Sequence, residues 1–339
     1  MENDNNMDRR VFLSRSGMAA AAAGTLGSGT AAGRASAAPS EAHGAADAPA
    51  QTSSSASQAS PPDFIIDSHV HCGGTEKWVQ AMVDDYRPRN AMVCVLTWPD
   101  DMELMVKAME EYPDVFIGFG RVRPNNATAV RKIQTFSENG FVGMKFHSPR
   151  FNWDDPGYFE MYRMCEQKGM HMLFHTGSPR ATLPTSRSGA PPRACARSML
   201  DTICRQFPKA TVQGAHFGNP WYEEAAEAAR WNPNLFYDIT GSSLLKLMKI
   251  NDLERLSDIL RWSAGEAENN PHTLEGGPSA WEHLVFGSDQ NPEGLQPNIE
   301  RFQQMMDVND VPASVRPRMW GGTMADLLDL DPARLPTSG

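Results

Sequence analysis

Two histidines one residue apart, His69 and His71, close the apolar run IIDSHVH at residues 65–71. Successive side chains of a β-strand point to opposite faces, so residues i and i+2 share one. At a strand end the pair aims two imidazoles at one place, with Asp67 one step below. Imidazole is the commonest protein ligand for zinc-like ions. Later in the chain His147, His175 and His216 also close apolar runs, Lys145 stands two residues before His147, and Asp289 closes VFGSD. Five of the nine histidines therefore fall at the ends of expected strands. His171, four residues before His175, is expected to be structural.

The elements that must carry these groups alternate strictly. Strands are expected at 64–69, 91–97, 115–122, 141–147, 170–175, 210–216, 235–239 and 283–287. Helical spacing fills 76–85, 101–111, 127–139, 158–168, 194–206, 222–231 and 244–262, with Gly140 and Gly169 as C-terminal stops. Near-continuous apolar runs such as AMVCVLT at 91–97 suit strands covered on both faces of a parallel sheet. Eight strands alternating with helices match a (β/α)8 TIM barrel, whose active site gathers at the C-terminal strand ends. A doubly wound open sheet is the second choice, and it lacks the glycine-rich phosphate loops GxGxxG and GxxxxGK[ST].

The bulk composition excludes several classes. Among 339 residues the formal charge is -10, which argues against nucleic acid as partner. Five scattered cysteines without CxxC spacing read as free thiols. The first sixty residues read as an address and a tether. Asp8-Arg9-Arg10-Val11-Phe12-Leu13-Ser14 resembles a twin-arginine export signal, and Ala35-Ser36-Ala37 fits a signal-peptidase site. Residues 1–37 are accordingly expected to be a signal peptide, 38–60 an Ala/Ser/Pro-rich linker and 61–339 the barrel domain, with a periplasmic or other extracytoplasmic destination and no transmembrane anchor in the mature chain.

His-x-His at the first strand, HTG at His175, AHFG at His216 and FGSD at Asp289 together resemble the amidohydrolase superfamily. The likeness is to its amidohydrolase-related branch, which includes the aminocarboxymuconate semialdehyde decarboxylase type, and covers residues 61–330. It implies that His69, His71, His175 and Asp289 bind one divalent metal ion, usually zinc, with His216 as acid or base beside it and Asp289 able to shuttle a proton. Neutral imidazoles and one carboxylate would leave such an ion positive enough to acidify water toward neutral pH. Some binuclear superfamily members bridge two metals with a carboxylated lysine on strand four. Lys145 and His147 are expected instead to be polar substrate contacts. Thr323 stands where the family commonly carries asparagine, and Gln290-Asn291-Pro292 spaces its proline differently from the commoner GSD-x-P.

Arginines crowd the expected rim: Arg121, Arg123, Arg150, Arg180, Arg187 and Arg193. Guanidinium forks bind carboxylates bidentately, and Trp78, Trp98, Phe151 and Trp153 could offer flat walls. Trp98, Arg121, Arg123, Lys145, His147 and Arg180 are the expected substrate contacts, and the substrate is expected to be a small acid. Hydrolysis of an amide, ester or lactone is the first reading, and nonoxidative decarboxylation of an unsaturated or aromatic acid the second. A catalytically inactive, exported metal-binding barrel is the third. A homodimer is compatible with each.

Overall fold

The computed structural model describes residues 64–177, 198–241, 253–260, 277–289 and 294–335. All lie in one unit, Pro62–Gly339. The expected signal peptide and linker, the arginines at 180, 187 and 193, most of the expected 244–262 helix and the 290–292 turn lie outside the described residues.

Seven parallel strands pair in chain order: β1 Ile65–His71, β2 Ala91–Thr97, β3 Phe116–Val122, β4 Gly143–Phe146, β5 His171–His175, β6 Val212–Ala215 and β7 Leu235–Tyr237. Between them run α1 Glu76–Tyr86, α2 Met102–Glu111, α3 Ala129–Glu138, α4 Phe159–Lys168, α5 Ser198–Gln206 and α6 Tyr222–Trp231. After β7 come α7 Arg255–Ile259, α8 Gln296–Val308 and α9 Thr323–Leu327. Local chemistry sets the boundaries. Thr75 caps α1 by accepting from the Trp78 amide at 3.2 Å, and Gly169 ends α4 at φ 64.

The expected eighth strand, 283–287, forms no continuous ladder. His283 belongs to a short turn, Trp281–His283, and a single bridge joins Leu284 to Tyr237. The segment nevertheless closes the ring. The Val285 amide donates to the Tyr237 carbonyl, the Ser68 amide to the Phe286 carbonyl and the Asp289 amide to the His69 carbonyl. The Phe286 amide turns outward to Met319, and a bulge between Asp67 and Val70 breaks the register of β1, so a regular ladder cannot run on either side. The result is a (β/α)8 barrel whose last stave is an extended segment.

Two apolar clusters divide the core. One lies between strands and helices and includes Val93, Phe116, Ile133, Phe136 and Leu200. The other fills the barrel with Ile66, Met92, Leu96, Ile117, Phe119, Leu173 and Val285, joined by Met324 and Ala325 of α9. Packing inside is tight enough that a Cβ on Gly143 would lie 2.6 Å from the Phe119 ring. Trp153 belongs to the core, not to a substrate wall: it is fully buried against Phe146 and Phe174, and its indole donates to the His175 carbonyl at 2.9 Å. No described helix is long and apolar enough to cross a membrane.

Candidate active site

Side chains from strands that are not neighbours meet at the strand ends, which places them inside the barrel. His69 and His71 of β1, Lys145 of β4 and Asp289 of the closing segment form one group. The Asp289 Oδ1 atom lies 3.5 Å from His69 Nε2 and 3.2 Å from His71 Nε2, and Lys145 Nζ lies 3.2 Å from His69 Nε2. One ligand atom from each of His69, His71 and Asp289 falls within a common 4.8 Å.

The bulge in β1 changes the expected role of Asp67. It turns Ser68 and His69 toward the interior in succession, so Asp67 points outward instead of lying beneath the histidines. There it accepts from the Tyr86 hydroxyl at 2.7 Å, the Ser288 amide at 2.9 Å and the His69 amide at 3.1 Å. Asp67 thereby ties β1 to α1 and to the closing segment just ahead of Asp289.

Behind His69 stands Asp238, which follows β7 and is absent from the sequence-based site. Its Oδ2 accepts from His69 Nδ1 at 3.1 Å and Gln213 Nε2 at 2.9 Å. Its Oδ1 accepts from the His216 amide at 3.0 Å, the Thr240 amide at 3.1 Å and the Thr240 hydroxyl at 2.6 Å. Burial alone would raise this carboxyl, but the facing imidazoles of His69 and His216 and the Lys145 ammonium outweigh it and hold it well below the usual range. His69, His216 and Asp238 form a second, wholly buried group. Sequence signals existed: an acid directly after the LFY strand, and a glutamine inside the buried strand VQGA.

His175 and His216 face each other, with 3.1 Å between His175 Nδ1 and His216 Nε2. The His216 Nδ1–H donates to the Thr240 carbonyl at 2.8 Å. That assigns its proton to Nδ1, so Nε2 accepts from His175 Nδ1–H and leaves the lone pair of His175 on its own Nε2. His175 also stacks near His147, at 4.4 Å between ring centres. His175 thus lies on the same rim as the first group but outside its 4.8 Å set.

The imidazoles are held neutral. Burial, aided by Lys145, lowers His69 to about 4, and burial with Lys145 and Arg121 does the same to His147. Burial, then the His216 imidazole facing it, presses His175 well below its ordinary value. Burial would raise Asp289, but His69, His71 and His216 hold it well below the carboxylate range. Neutral imidazoles beside an ionised carboxylate are the state in which these groups bind a divalent ion, so the donor set fits one.

Four non-glycine residues at the rim adopt positive φ: Ser148 at 57, His216 at 68, Phe217 at 46 and Asp289 at 50. Such backbone strain persists where surrounding bonds over-determine it, and here the Asp238 carboxylate holds the His216 amide. Gly241, at φ +55, passes so close that a Cβ would lie 2.9 Å from His216 Nδ1 and 3.2 Å from Asp289 Oδ2.

On the open side of the rim, Arg121 lies over Trp98 with its guanidinium carbon 4.2 Å from the ring centre, and Arg123 approaches the same ring at 5.8 Å. The Arg121 Nε is buried without a hydrogen-bond partner among the described residues. Burial brings its pKa down to about 10, so it stays charged at neutral pH. His147 is half-buried, its Nδ1 2.5 Å from the Ser148 hydroxyl. Phe151 is exposed and Trp78 half-buried. Thr323 is buried with its hydroxyl unpaired among the described residues.

The amidohydrolase family model matches residues 86–330. The chain belongs to this family. It is an enzyme of the metal-dependent hydrolase or carboxy-lyase kind. The match begins at Tyr86, so His69 and His71 precede it, joined to the barrel through the pairing of β1. Among solved structures, this amidohydrolase is similar to 5-carboxyvanillate decarboxylase from Sphingomonas paucimobilis, at 13% identity and TM-score 0.51 over 79% of this chain and 100% of that one. It is similar to a probable 2-pyrone-4,6-dicarboxylic acid hydrolase from Acinetobacter baumannii with citric acid bound, at 15% identity and TM-score 0.53 over 78% and 99%. A 5-carboxyvanillate decarboxylase from Novosphingobium aromaticivorans with bound manganese matches at 12% identity and TM-score 0.50 over 79% and 97%. At these identities the likeness is one of fold. No relative matches among curated proteins.

Proposed function

We propose that this amidohydrolase hydrolyses an ester, lactone or amide bond in a small planar substrate that carries a carboxylate. The observation that carries the reading is Arg121. A charged guanidinium stacked on Trp98, with a buried Nε lacking a described partner, stands on the same rim as His69, His71 and Asp289. A substrate carboxylate would satisfy that donor, and a flat ring would extend the Trp98 stack. Arg123 adds positive charge at the mouth, and Lys145 with His147 offers donors deeper in.

His69, His71 and Asp289 would hold the ion, with His175 completing the set through its free Nε2. Zinc suits three imidazoles and one carboxylate, and manganese is the oxygen-favouring alternative. When bound, such an ion polarises a carbonyl oxygen and acidifies water. The chain's own groups handle the protons: the Asp289 carboxylate accepts one, and His216, fixed at Nδ1 by the Thr240 carbonyl, exchanges one at Nε2. Arg121 orients the acid and excludes the wrong end of the substrate. The same arrangement supports a second reading, loss of CO2 from a planar acid, because Lys145 and His147 put proton donors beside the site.

The test pairs metal analysis of purified protein with a panel of planar carboxylates and their neutral esters and amides. About one ion per chain and a preference for carboxylates are expected. A preference for uncharged substrates would sink the acid reading, two ions per chain would revive Lys145 as a bridge, and CO2 released from a carboxyl-labelled acid would select the second reaction. The Asp8–Ser14 stretch supports export by the twin-arginine route, which fractionation of cells expressing the double change Arg9→Lys and Arg10→Lys would check by retention of the protein in the cytoplasm.

A further inference from the structure

On the acid reading above, we infer that Asn125 and Tyr158 are positioning residues for the carboxylate end of the substrate. They lock the loop that follows Arg121 and Arg123 to the loop that follows His147, and so fix the gap between the arginines and His147.

The β-ladder does not set that gap. β3 and β4 pair as far as Val122 and Phe146. Pro124 and Pro149 follow, one on each side, and proline has no N–H to carry a ladder on. Arg123 and His147 therefore stand just past the last pair. Beyond it, every hydrogen bond between the two loops among the described residues uses Asn125. Its Nδ2 donates to the Ser148 carbonyl at 3.4 Å, and its Oδ1 accepts from the Arg150 amide at 3.2 Å and from the Tyr158 hydroxyl at 2.6 Å. The Tyr158 oxygen in turn accepts from the amides of Arg150 and Phe151, at 2.9 and 3.0 Å.

Both ends of this staple lead to groups at the mouth. On one side Arg123 lies two residues before Asn125, its carbonyl accepts from the Asn126 amide at 3.0 Å, and its guanidinium approaches Trp98. On the other side stands Ser148, left-handed at φ 57, with its hydroxyl 2.5 Å from His147 Nδ1. A serine keeps such a backbone where its neighbours hold it there, and the Asn125 amide holds its carbonyl. Tyr158 gives the staple a firm base. It is buried, with its ring 6.2 Å from that of Trp153, whose indole is bonded to the His175 carbonyl. Satisfying donors does not require this arrangement. Arg150 and Phe151 are exposed, and water serves such amides nearly as well. A buried hydroxyl that gathers both amides and joins them to Asn125 gives the two loops one relative position.

The test uses the purified protein as isolated, with cinnamate as a planar acid and cinnamamide as its neutral counterpart. Calorimetric titration reads the dissociation constants. 1H–15N spectra read the Arg123 Nε–H signal, assigned by its loss in Arg123→Lys. Tyr158→Phe and Asn125→Leu each break the staple. Either should raise the cinnamate dissociation constant about three- to tenfold, the worth of one hydrogen bond. Any binding of cinnamamide should stay within about twofold of the parent, and the Arg123 signal should move toward that of a free arginine side chain. Because both side chains act through one bond, the double variant should bind cinnamate no more weakly than the weaker single variant. If one variant does not fold, the other is read alone. Folded variants with an unchanged cinnamate constant overturn the inference, as does an equal loss for cinnamamide. A parent that does not bind cinnamate counts against the acid reading instead. The Arg123 signal then decides alone, and a signal unmoved in the variants overturns the inference.

Discussion

Asp67 and Asp238 are both fully buried, both accept several hydrogen bonds and both stand next to His69, one in front of its amide and one behind its ring. They titrate in opposite directions. Burial pushes Asp67 up to about 6, and its partners, a tyrosine hydroxyl, Ser288 and backbone amides, only partly offset that. Asp238 faces imidazoles and an ammonium and is held far down. Burial alone therefore does not decide whether an aspartate is charged; the kind of donor does. Asp67 serves as a clasp between β1, α1 and the closing segment that takes up a proton near pH 6. Asp238 serves as a fixed negative charge that orders the site.

Replacing each by its isostere should separate the two roles. The largest effect is expected for Asp238→Asn, which sets an N–H among groups that all donate. Breaking such a buried polar pair costs about 3–5 kcal/mol, and ion affinity should fall about 10–100-fold. Urea denaturation and metal titration would check both; retention of parental affinity would remove Asp238 from the site.

Asp67→Asn should do the reverse. A carboxyl raised from 3.8 to about 6 on folding binds its proton more tightly in the native state. Its stabilising share is present below the unfolded value and lost as pH rises through about 6. Roughly two units correspond to about 3 kcal/mol. The asparagine variant, permanently neutral, should match the metal-free parent near pH 4 and exceed it at pH 7.5 by up to about that amount. Denaturation at the two pH values reads it, and a variant less stable at both would show that Asp67 is needed as an anion.

Gly241→Ala places a methyl group against His216 and Asp289 in a left-handed backbone. About 1–2 kcal/mol of strain is expected, with a fall in kcat that thermal melting alone would not reveal. Tyr86→Phe is the mildest change, about 1 kcal/mol for one lost donor, and should push Asp67 still higher, visible by carboxyl NMR titration.

Much of this was readable from residue order. AMVCVLT formed β2 at residues 91–97 and Tyr222–Trp231 formed α6, both with the expected ends, because an uninterrupted apolar run and a full amphipathic helix each admit one arrangement. His69, His71 and Asp289 do come together. What sequence periodicity could not show was the bulge in β1, which arises from closure against residues more than two hundred positions away and sends Asp67 outward. Nor could it show that Trp153, in a loop, folds back into the core. Asp238 and Gln213 carried a signal, charge and amide inside apolar strands, whose meaning depends on the groups facing them across the barrel. The missing ladder at 283–287 reflects the same dependence, since its amides go to Tyr237 of β7 and to Met319 while its link to β1 runs through the Phe286 carbonyl.

The closing segment carries one consequence for how the protein comes into being. Ser288 follows Asp67 by 221 residues, and the Asp289 amide bonds the His69 carbonyl. A chain emerging from its amino end makes both histidines of β1 early and the carboxylate late. Until residue 289 is out and the ring has shut, the carboxylate that faces the Nε2 atoms of both imidazoles is missing. The proposed ion site is thus complete only in molecules whose outermost staves have met.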